Sequence, residues 1–149
     1  MLVLFAACGA QSAGDSLTFD PCASTVVSAP RATTDQLASI DDAIAMWRAD
    51  GVTGLGRGDT AEITVDFREA ADSIYGFYDV TTATLYVNTR LADPGQRAVA
   101  IAHELGHALG LLHVPAETRI SVMNPGNLTT EPTSSDSLAL QSLWGACQP

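Results

Sequence analysis

All three histidines of this 149-residue chain lie between positions 103 and 113. His103 and His107 are four residues apart, which places their side chains on the same face of an α-helix, about 6 Å apart along its axis. Apart from these histidines and Glu104, residues 98–112 are apolar, and this composition predicts an enclosed helix whose polar side chains need partners. Two imidazoles on one buried helix face are typical of a site that binds a divalent metal ion.

Three further residues of the same stretch complete the pattern. Glu104 is turned about 100° around the helix from His103, so it can lean over the open side of an ion held by the histidines. Gly110 has no Cβ and can adopt the left-handed conformation that ends a helix, which would return His113 toward the ion. We therefore predict that three histidines bind one Zn²⁺ and leave a position for water, whose pKa the ion lowers to about 7. Glu104 is the expected general base.

A closed structural zinc site and a set of unrelated core histidines are the alternative interpretations of these residues. Such a site normally recruits a fourth protein ligand, usually a cysteine. The chain has three cysteines, and neither Cys22 nor Cys147 is close to the histidines in the sequence. An open, catalytic type of site is therefore the favoured prediction.

Composition limits the remaining possibilities. A chain of 149 residues with 46% hydrophobic and 16% charged residues has the length and the apolar content of one folded domain. Seven Lys and Arg residues against seventeen Asp and Glu residues give a formal net charge of −10 at pH 7. Because no excess of basic side chains is available to contact phosphates, the composition excludes a nucleic-acid-binding protein.

The first eight residues, MLVLFAAC, form an apolar run that is too short to span a bilayer and lacks a basic start. We interpret residues 1–8 as a truncated signal or lipobox segment, with Cys8 as the lipidation candidate. A simple apolar N-terminus with a free thiol is the alternative. Residues 9–32 are rich in Ser, Ala, Gly and Pro and are interpreted as a tether and an N-terminal arm.

If Cys8 carries a lipid, Cys22 and Cys147 remain as a pair. Export would place them in an oxidising compartment, where cysteines of this kind form disulfides. We therefore expect a Cys22–Cys147 disulfide that ties the two ends of the domain together. By loop entropy, such a long closure contributes about 4 kcal/mol at best.

Hydrophobic periodicity predicts two long helices with strands between them in the chain. The first helix begins at a capping box formed by Thr33 and Gln36 and ends before Gly51. The second begins with Asp93 as N-cap and Pro94 in the first turn. The residues on the apolar face of the first helix are Leu37, Ile40, Ile44 and Trp47.

Alternating apolar residues predict strands in the middle of the chain. Ile63, Val65 and Phe67 alternate with polar residues as in a half-buried strand. Residues 75–80 and 83–89 are two further β-rich runs that predict a hairpin. The glycine-rich residues 51–59 are interpreted as a loop.

The stretch HELGHALGLLH, residues 103–113, matches the long zinc motif of the metzincin metalloproteases at every defining position. Ten residues after His113, the segment SVMNP resembles the Met-turn of that family, with Met123 as the apolar floor beneath the zinc. Residues 135–145, SDSLALQSLWG, resemble the last helix of the matrixin branch, including Asp136. Over residues 96–145 the chain therefore resembles a bacterial matrixin-like protein, in which Gly110, Met123 and Asp136 would support the site.

This resemblance implies an α+β fold of the zincin-like metalloprotease type for residues 33–149. The expected architecture is a twisted, mixed and mostly parallel sheet with an active-site helix and a C-terminal helix. Residues 75–89 are the candidates for an edge strand that binds extended peptide by strand addition. Residues 124–133 would line the pocket for the side chain after the scissile bond. Asn124 stands where an astacin-like enzyme has a tyrosine ligand, so no fifth protein ligand is expected.

The implied function is that of a zinc-dependent endopeptidase acting on protein or peptide substrates, secreted or lipid-anchored at the bacterial envelope. Two features of the resembled family are missing. The chain has no Gly/Asp-rich calcium loops, so we expect no structural calcium. It also has no PRCGxPD cysteine switch, and Cys22 in DPCAS lacks the surrounding residues of that motif.

Two other functions fit the same motifs. One is a surface binding module that keeps the metalloprotease scaffold without turnover, and the other is a hydrolase of cell-wall peptide cross-links. The intact Glu104 favours an enzyme, because a pure binding module has no use for a buried base.

Overall fold

The computed structural model describes residues 17–147, which form a five-stranded sheet and three helices. The candidate signal or lipobox segment and Cys8 lie outside the described residues. Within residues 17–147, every helix is too short or too polar to cross a membrane. The elements are β1 (Thr25–Ser28), α1 (Thr34–Ala49), β2 (Leu55–Arg57), β3 (Ile63–Arg68), β4 (Gly76–Asp79), β5 (Thr84–Asn88), α2 (Pro94–Ala108) and α3 (Ser134–Trp144).

The sheet is mixed and mostly parallel, as the sequence predicted. Its strand order is β2-β1-β3-β5-β4. The first four strands of this order run parallel to one another, and β4 pairs antiparallel with β5 at the edge. The predicted hairpin is therefore confirmed, and its first strand is the one whose outer edge is available to an added strand.

Helix α1 connects the parallel neighbours β1 and β2 as a crossover. The capping box of Thr33 and Gln36 is present at its start, and Gly51 follows its end with φ +91°. The indole N–H of Trp47 donates a 2.9 Å hydrogen bond to the carbonyl oxygen of Ala102 in α2. Helix α1 thus packs directly on α2 through its predicted apolar face.

Helix α2 is buried on nearly every side. It packs against α1 and against the strands β4 and β5. Its N-cap is Asp93, whose carboxylate accepts a 2.8 Å hydrogen bond from the backbone N–H of Gln96. Gly110 has φ +95°, so the predicted left-handed turn at the end of this helix is confirmed.

Strands β1 and β2 were missed by the sequence interpretation. Strand β1 lies inside residues 9–32, for which the sequence predicts a tether and an arm, and β2 lies inside the predicted loop 51–59. They have four and three residues, too few for an alternating pattern to be recognised. Their stability comes from neighbours: β1 is paired on both sides, by β2 and β3, and is mostly buried.

The expected disulfide is confirmed: Cys22 and Cys147 are bonded across a separation of 125 residues, with Cα atoms 5.1 Å apart. The segment before Cys22 is also fixed to the domain. The backbone N–H of Phe19 donates to the carbonyl oxygen of Ala108 at 2.8 Å, and that of Leu17 donates to Val80 at 2.8 Å. The N-terminal end of the described chain is therefore anchored beside the end of α2 and the edge of the sheet, and the disulfide connects the C-terminal end to it.

Removing the disulfide tests this anchoring. The double variant Cys22→Ser/Cys147→Ser should lower the free energy of unfolding by up to about 4 kcal/mol, because its unfolded chain is no longer restricted by a long closed loop. Urea denaturation of both proteins measures the difference. Dithiothreitol should destabilise the wild type to the same extent and leave the double variant unchanged. Equal stability of oxidised and reduced wild type would contradict the expectation.

Candidate active site

Helix α2 presents His103 and His107 on one face, and backbone carbonyls fix the orientation of both rings. Nδ1 of His103 lies 2.7 Å from the carbonyl oxygen of Val122, and Nδ1 of His107 lies 2.8 Å from that of Leu111. Because a carbonyl oxygen only accepts, each Nδ1 carries the proton and each Nε2 is left with a lone pair. This is the tautomer that a metal-binding histidine needs.

The turn at Gly110 returns His113 to the same point. Nε2 of His113 lies 3.1 Å from Nε2 of His103 and 3.2 Å from Nε2 of His107. Two nitrogens bound to one tetrahedral zinc ion at its usual bond lengths lie about 3.3 Å apart, so these spacings fit. Among residues 17–147, these histidines are the group of ligand atoms within 4.8 Å of one another that could hold a metal ion. The structure thus brings together the three histidines that the sequence singled out.

The environment of His103 and His107 favours their neutral forms. Burial lowers the pKa of His103 from 6.5 to about 4, with further lowering by the nearby His107 and His113. The pKa of His107 is also lowered, chiefly by burial. Neutral imidazole nitrogen suits zinc, and three such ligands leave the ion its full charge.

Glu104 lies on the same helix beside the histidines and is only 7% exposed. Burial raises its pKa from 4.5 to about 7, and the backbone of Tyr78 partly opposes this shift. Gly76 in β4 makes room for it: a Cβ at that position would lie 2.8 Å from Cγ of Glu104 and 3.0 Å from its Oε1. Sequence analysis did not single out Gly76, although a glycine within a strand is a signal of close approach by another group.

Met123 forms an apolar floor under α2 and is fully buried. A Cβ added at Gly106 would collide with its sulfur atom, so only glycine at this helix position allows the contact. The backbone N–H of Val114 donates a 3.0 Å hydrogen bond to the carbonyl oxygen of Met123. This hydrogen bond connects the segment after His113 to the turn that contains Met123.

Asp136 in α3 is completely buried and links that helix to the Met123 turn. Its carboxylate accepts hydrogen bonds from the hydroxyl of Ser121 and from the backbone N–H of Val122, the latter at 3.1 Å. It also caps its own helix by accepting from the N–H of Thr133 at 3.0 Å. The carbonyl oxygen of Val122 accepts a hydrogen bond from Nδ1 of His103. Asp136 is therefore connected to the histidine cluster through the backbone of Val122.

Two cavities meet at the histidines and at Glu104. The first has a volume of about 240 Å³, with residues 73–76 on one wall and residues 125–127 on the other. Of residues 124–133, which we expected to line a pocket, residues 125–127 line this cavity. The side-chain amide of Asn124 donates hydrogen bonds to the carbonyl oxygens of Val114 and Arg119. The second cavity has a volume of about 470 Å³ and is lined largely by apolar side chains, including Phe77 and Leu112. An extended molecule could occupy both cavities and pass over the histidines.

The sequence matches no protein-family model, and no curated protein is significantly similar to it. Solved structures share its fold at low sequence identity. An archaemetzincin from Methanopyrus kandleri superposes with a TM-score of 0.58 at 14% identity, over 82% of this chain and 95% of that one. A hatching enzyme zinc-protease from Oryzias latipes gives a TM-score of 0.55 at 13% identity, over 85% of this chain and 96% of that one.

Myroilysin also shares the fold, over part of its length. One structure of it gives a TM-score of 0.53 at 17% identity, over 90% of this chain and 67% of that one. In another, the match spans about half of the larger protein, 52% of its length. At these identities the similarity shows the fold. The chain therefore has the zincin-like metalloprotease fold that the sequence implied, with three histidines that could bind zinc.

Proposed function

We propose that this protein is a zinc-dependent endopeptidase of the matrixin branch of the metzincins. The observation that carries the proposal is the convergence of three histidine Nε2 atoms beside a buried carboxylate, at the junction of two cavities. The Met-turn and last-helix motifs, SVMNP and SDSLALQSLWG, support the choice of the matrixin branch.

His103, His107 and His113 would hold the zinc through their Nε2 atoms. When bound, zinc polarises a substrate carbonyl and lowers the pKa of water, so that a nucleophile is available at neutral pH. Cys22 and Cys147 do not compete for this role, since they are joined in a disulfide.

Glu104 is the proposed general base and general acid. Its carboxylate accepts a proton from the attacking water and then donates that proton to the amine nitrogen of the departing peptide. A buried carboxyl group with a pKa of about 7 can do both near neutral pH, because neither its charged nor its neutral form is strongly favoured. The absence of a side chain at Gly76 leaves room for the Glu104 side chain beside the edge strand.

The edge strand β4 is the proposed docking site for the substrate backbone. An extended peptide can add to the free edge of a sheet through main-chain hydrogen bonds, which bind many sequences with the same geometry. Such a peptide would lie along the cleft formed by the two cavities. The side chain that follows the scissile bond would enter the 240 Å³ cavity between residues 73–76 and 125–127.

Asp136 and Met123 are proposed to position the ligands. Asp136 accepts from Val122, and the carbonyl of Val122 in turn accepts from Nδ1 of His103. Groups that orient a ligand through its second nitrogen typically change metal affinity by 10- to 100-fold. Met123 supports the helix from below through its contact with Gly106.

We further propose that the protein works outside the cytoplasm. The Cys22–Cys147 disulfide supports an oxidising compartment. Anchoring at the bacterial envelope through a lipid on Cys8 stays a prediction from the sequence.

The variant Glu104→Gln tests the proposed base. It should retain one zinc ion per chain and lose about 100- to 10,000-fold in kcat on a denatured protein, because the amide cannot accept the proton of water. Zinc content is measured by mass spectrometry and cleavage by peptide release. The matched control is Glu117→Gln, which changes an exposed carboxylate after the motif and should leave both values unchanged. Undiminished cleavage by the Glu104 variant would refute the assignment.

The variant Asp136→Asn tests the positioning proposal. The carboxylate of Asp136 accepts hydrogen bonds from backbone N–H groups and a hydroxyl group, and an amide nitrogen in its place cannot accept them. Zinc affinity should therefore fall by about 10- to 100-fold. Competition with a fluorescent chelator measures this affinity. Asp35→Asn is the control, since Asp35 occupies the first turn of α1 and is exposed. If both variants bind zinc like the wild type, Asp136 does not position the ligands.

A further inference from the structure

Residues 69–75 connect β3 to β4, and residues 73–75 of this connection form part of one wall of the 240 Å³ cavity. In the sheet, β5 lies between these two strands, so the connection has to cross the end of β5. It contains no helix or strand, and most of its side chains are exposed. Few apolar contacts therefore hold it. Ser73, Ile74 and Tyr75 nevertheless line the cavity at the histidines.

Asn88, the last residue of β5, lies under this crossing and is only 4% exposed. Its side-chain Nδ2 lies 2.7 Å from the carbonyl oxygen of Ile74 and 3.0 Å from that of Ala71. Its Oδ1 accepts from the backbone N–H of Ala70 at 3.2 Å and from that of Arg90 at 3.0 Å. The backbone N–H of Asn88 donates to the carbonyl oxygen of Tyr75 at 2.9 Å. One buried residue thus forms hydrogen bonds with four residues of the connection, Ala70, Ala71, Ile74 and Tyr75.

The chemistry of these contacts requires an amide. The carbonyls of Ala71 and Ile74 need donors, while the N–H groups of Ala70 and Arg90 need an acceptor. Asparagine offers both in one planar group, and no other side chain of its size does. A carboxylate of the same shape would accept at one end but would face two carbonyl oxygens at the other.

The other polar contacts of this segment lie on the surface. Arg90 forms ion pairs with Glu69 and Asp72, and the side chains of all three residues are at least half exposed. Ion pairs of this kind contribute little. A small cavity of about 50 Å³ lies behind Ile74 and Gly76, with Asn88 among its lining residues, so the wall has space to shift when it is not held.

We propose that Asn88 is a positioning residue that sets the place of residues 70–75, and with them the cavity wall at 73–75, and thereby selects the side chain accepted by the 240 Å³ cavity. This inference rests on the proposed endopeptidase function for its effect on specificity. Asn88 itself lies outside the histidine cluster and bonds to the wall rather than to the reacting atoms.

The variant Asn88→Asp tests the proposal, and Asp72→Asn is the matched control because it removes a surface contact to the same segment. Amide hydrogen exchange of residues 70–75 should become about tenfold faster in the Asn88 variant, the change expected on losing one net hydrogen bond, while exchange in α2 is unchanged. For peptides with a large side chain after the scissile bond, KM should rise about tenfold and kcat should stay within about twofold. Asp72→Asn should match the wild type in both measurements.

Several outcomes would overturn the proposal. One is a folded, zinc-binding Asn88 variant with unchanged exchange and an unchanged cleavage profile. If that variant does not fold, the wild type decides: its Ala70 amide should be strongly protected, and exchange at the rate of an unfolded chain contradicts the proposal. If the wild type cleaves no peptide, the proposed function is wrong. The exchange data would then still show whether Asn88 keeps residues 70–75 in place.

Discussion

Two hydrogen bonds, from Nδ1 of His103 to Val122 and from Nδ1 of His107 to Leu111, determine how the imidazoles face one another. They direct both Nε2 lone pairs toward the position that His113 also reaches. Nitrogen lone pairs that point at one another at such distances repel each other. A cation or a proton shared between them removes this repulsion. The rest of the structure keeps the two carbonyls in place: α3 holds Val122 through Asp136, and the turn at Gly110 sets Leu111.

The buried carboxyl group of Glu104 is the second constraint on the fold. Enclosure of this group is unfavourable for its charged form, and the raised pKa expresses that cost. This unfavourable burial occurs at the candidate active site, since Glu104 borders both cavities. Close approach of β4 is possible because Gly76 has no side chain. The same approach puts the edge strand beside the histidines, where a bound peptide would meet the base.

Local signals were sufficient for much of the fold and for the selection of the three histidines that the structure brings together. The capping box at Thr33 and the left-handed turn at Gly110 depend on neighbouring residues only, and so does the helical spacing of the histidines. The contacts of Gly76 and Gly106 depend on residues far along the chain, and their sequence surroundings do not reveal them. Asn88 likewise falls inside the predicted strand 83–89, and its sequence neighbours do not distinguish it from the other residues of that strand. Its role follows from the strand order, which places a crossing connection above it.

The central claim is that three histidine nitrogens bind one zinc ion and leave a position open to water beside Glu104. X-ray absorption spectroscopy of the zinc-loaded protein measures the coordination shell directly. The account predicts three imidazole nitrogens and a water-derived oxygen at about 2.0–2.1 Å, with that oxygen replaced when a hydroxamate is added. A sulfur ligand at about 2.3 Å, or a fourth protein side chain that hydroxamate does not displace, would contradict it.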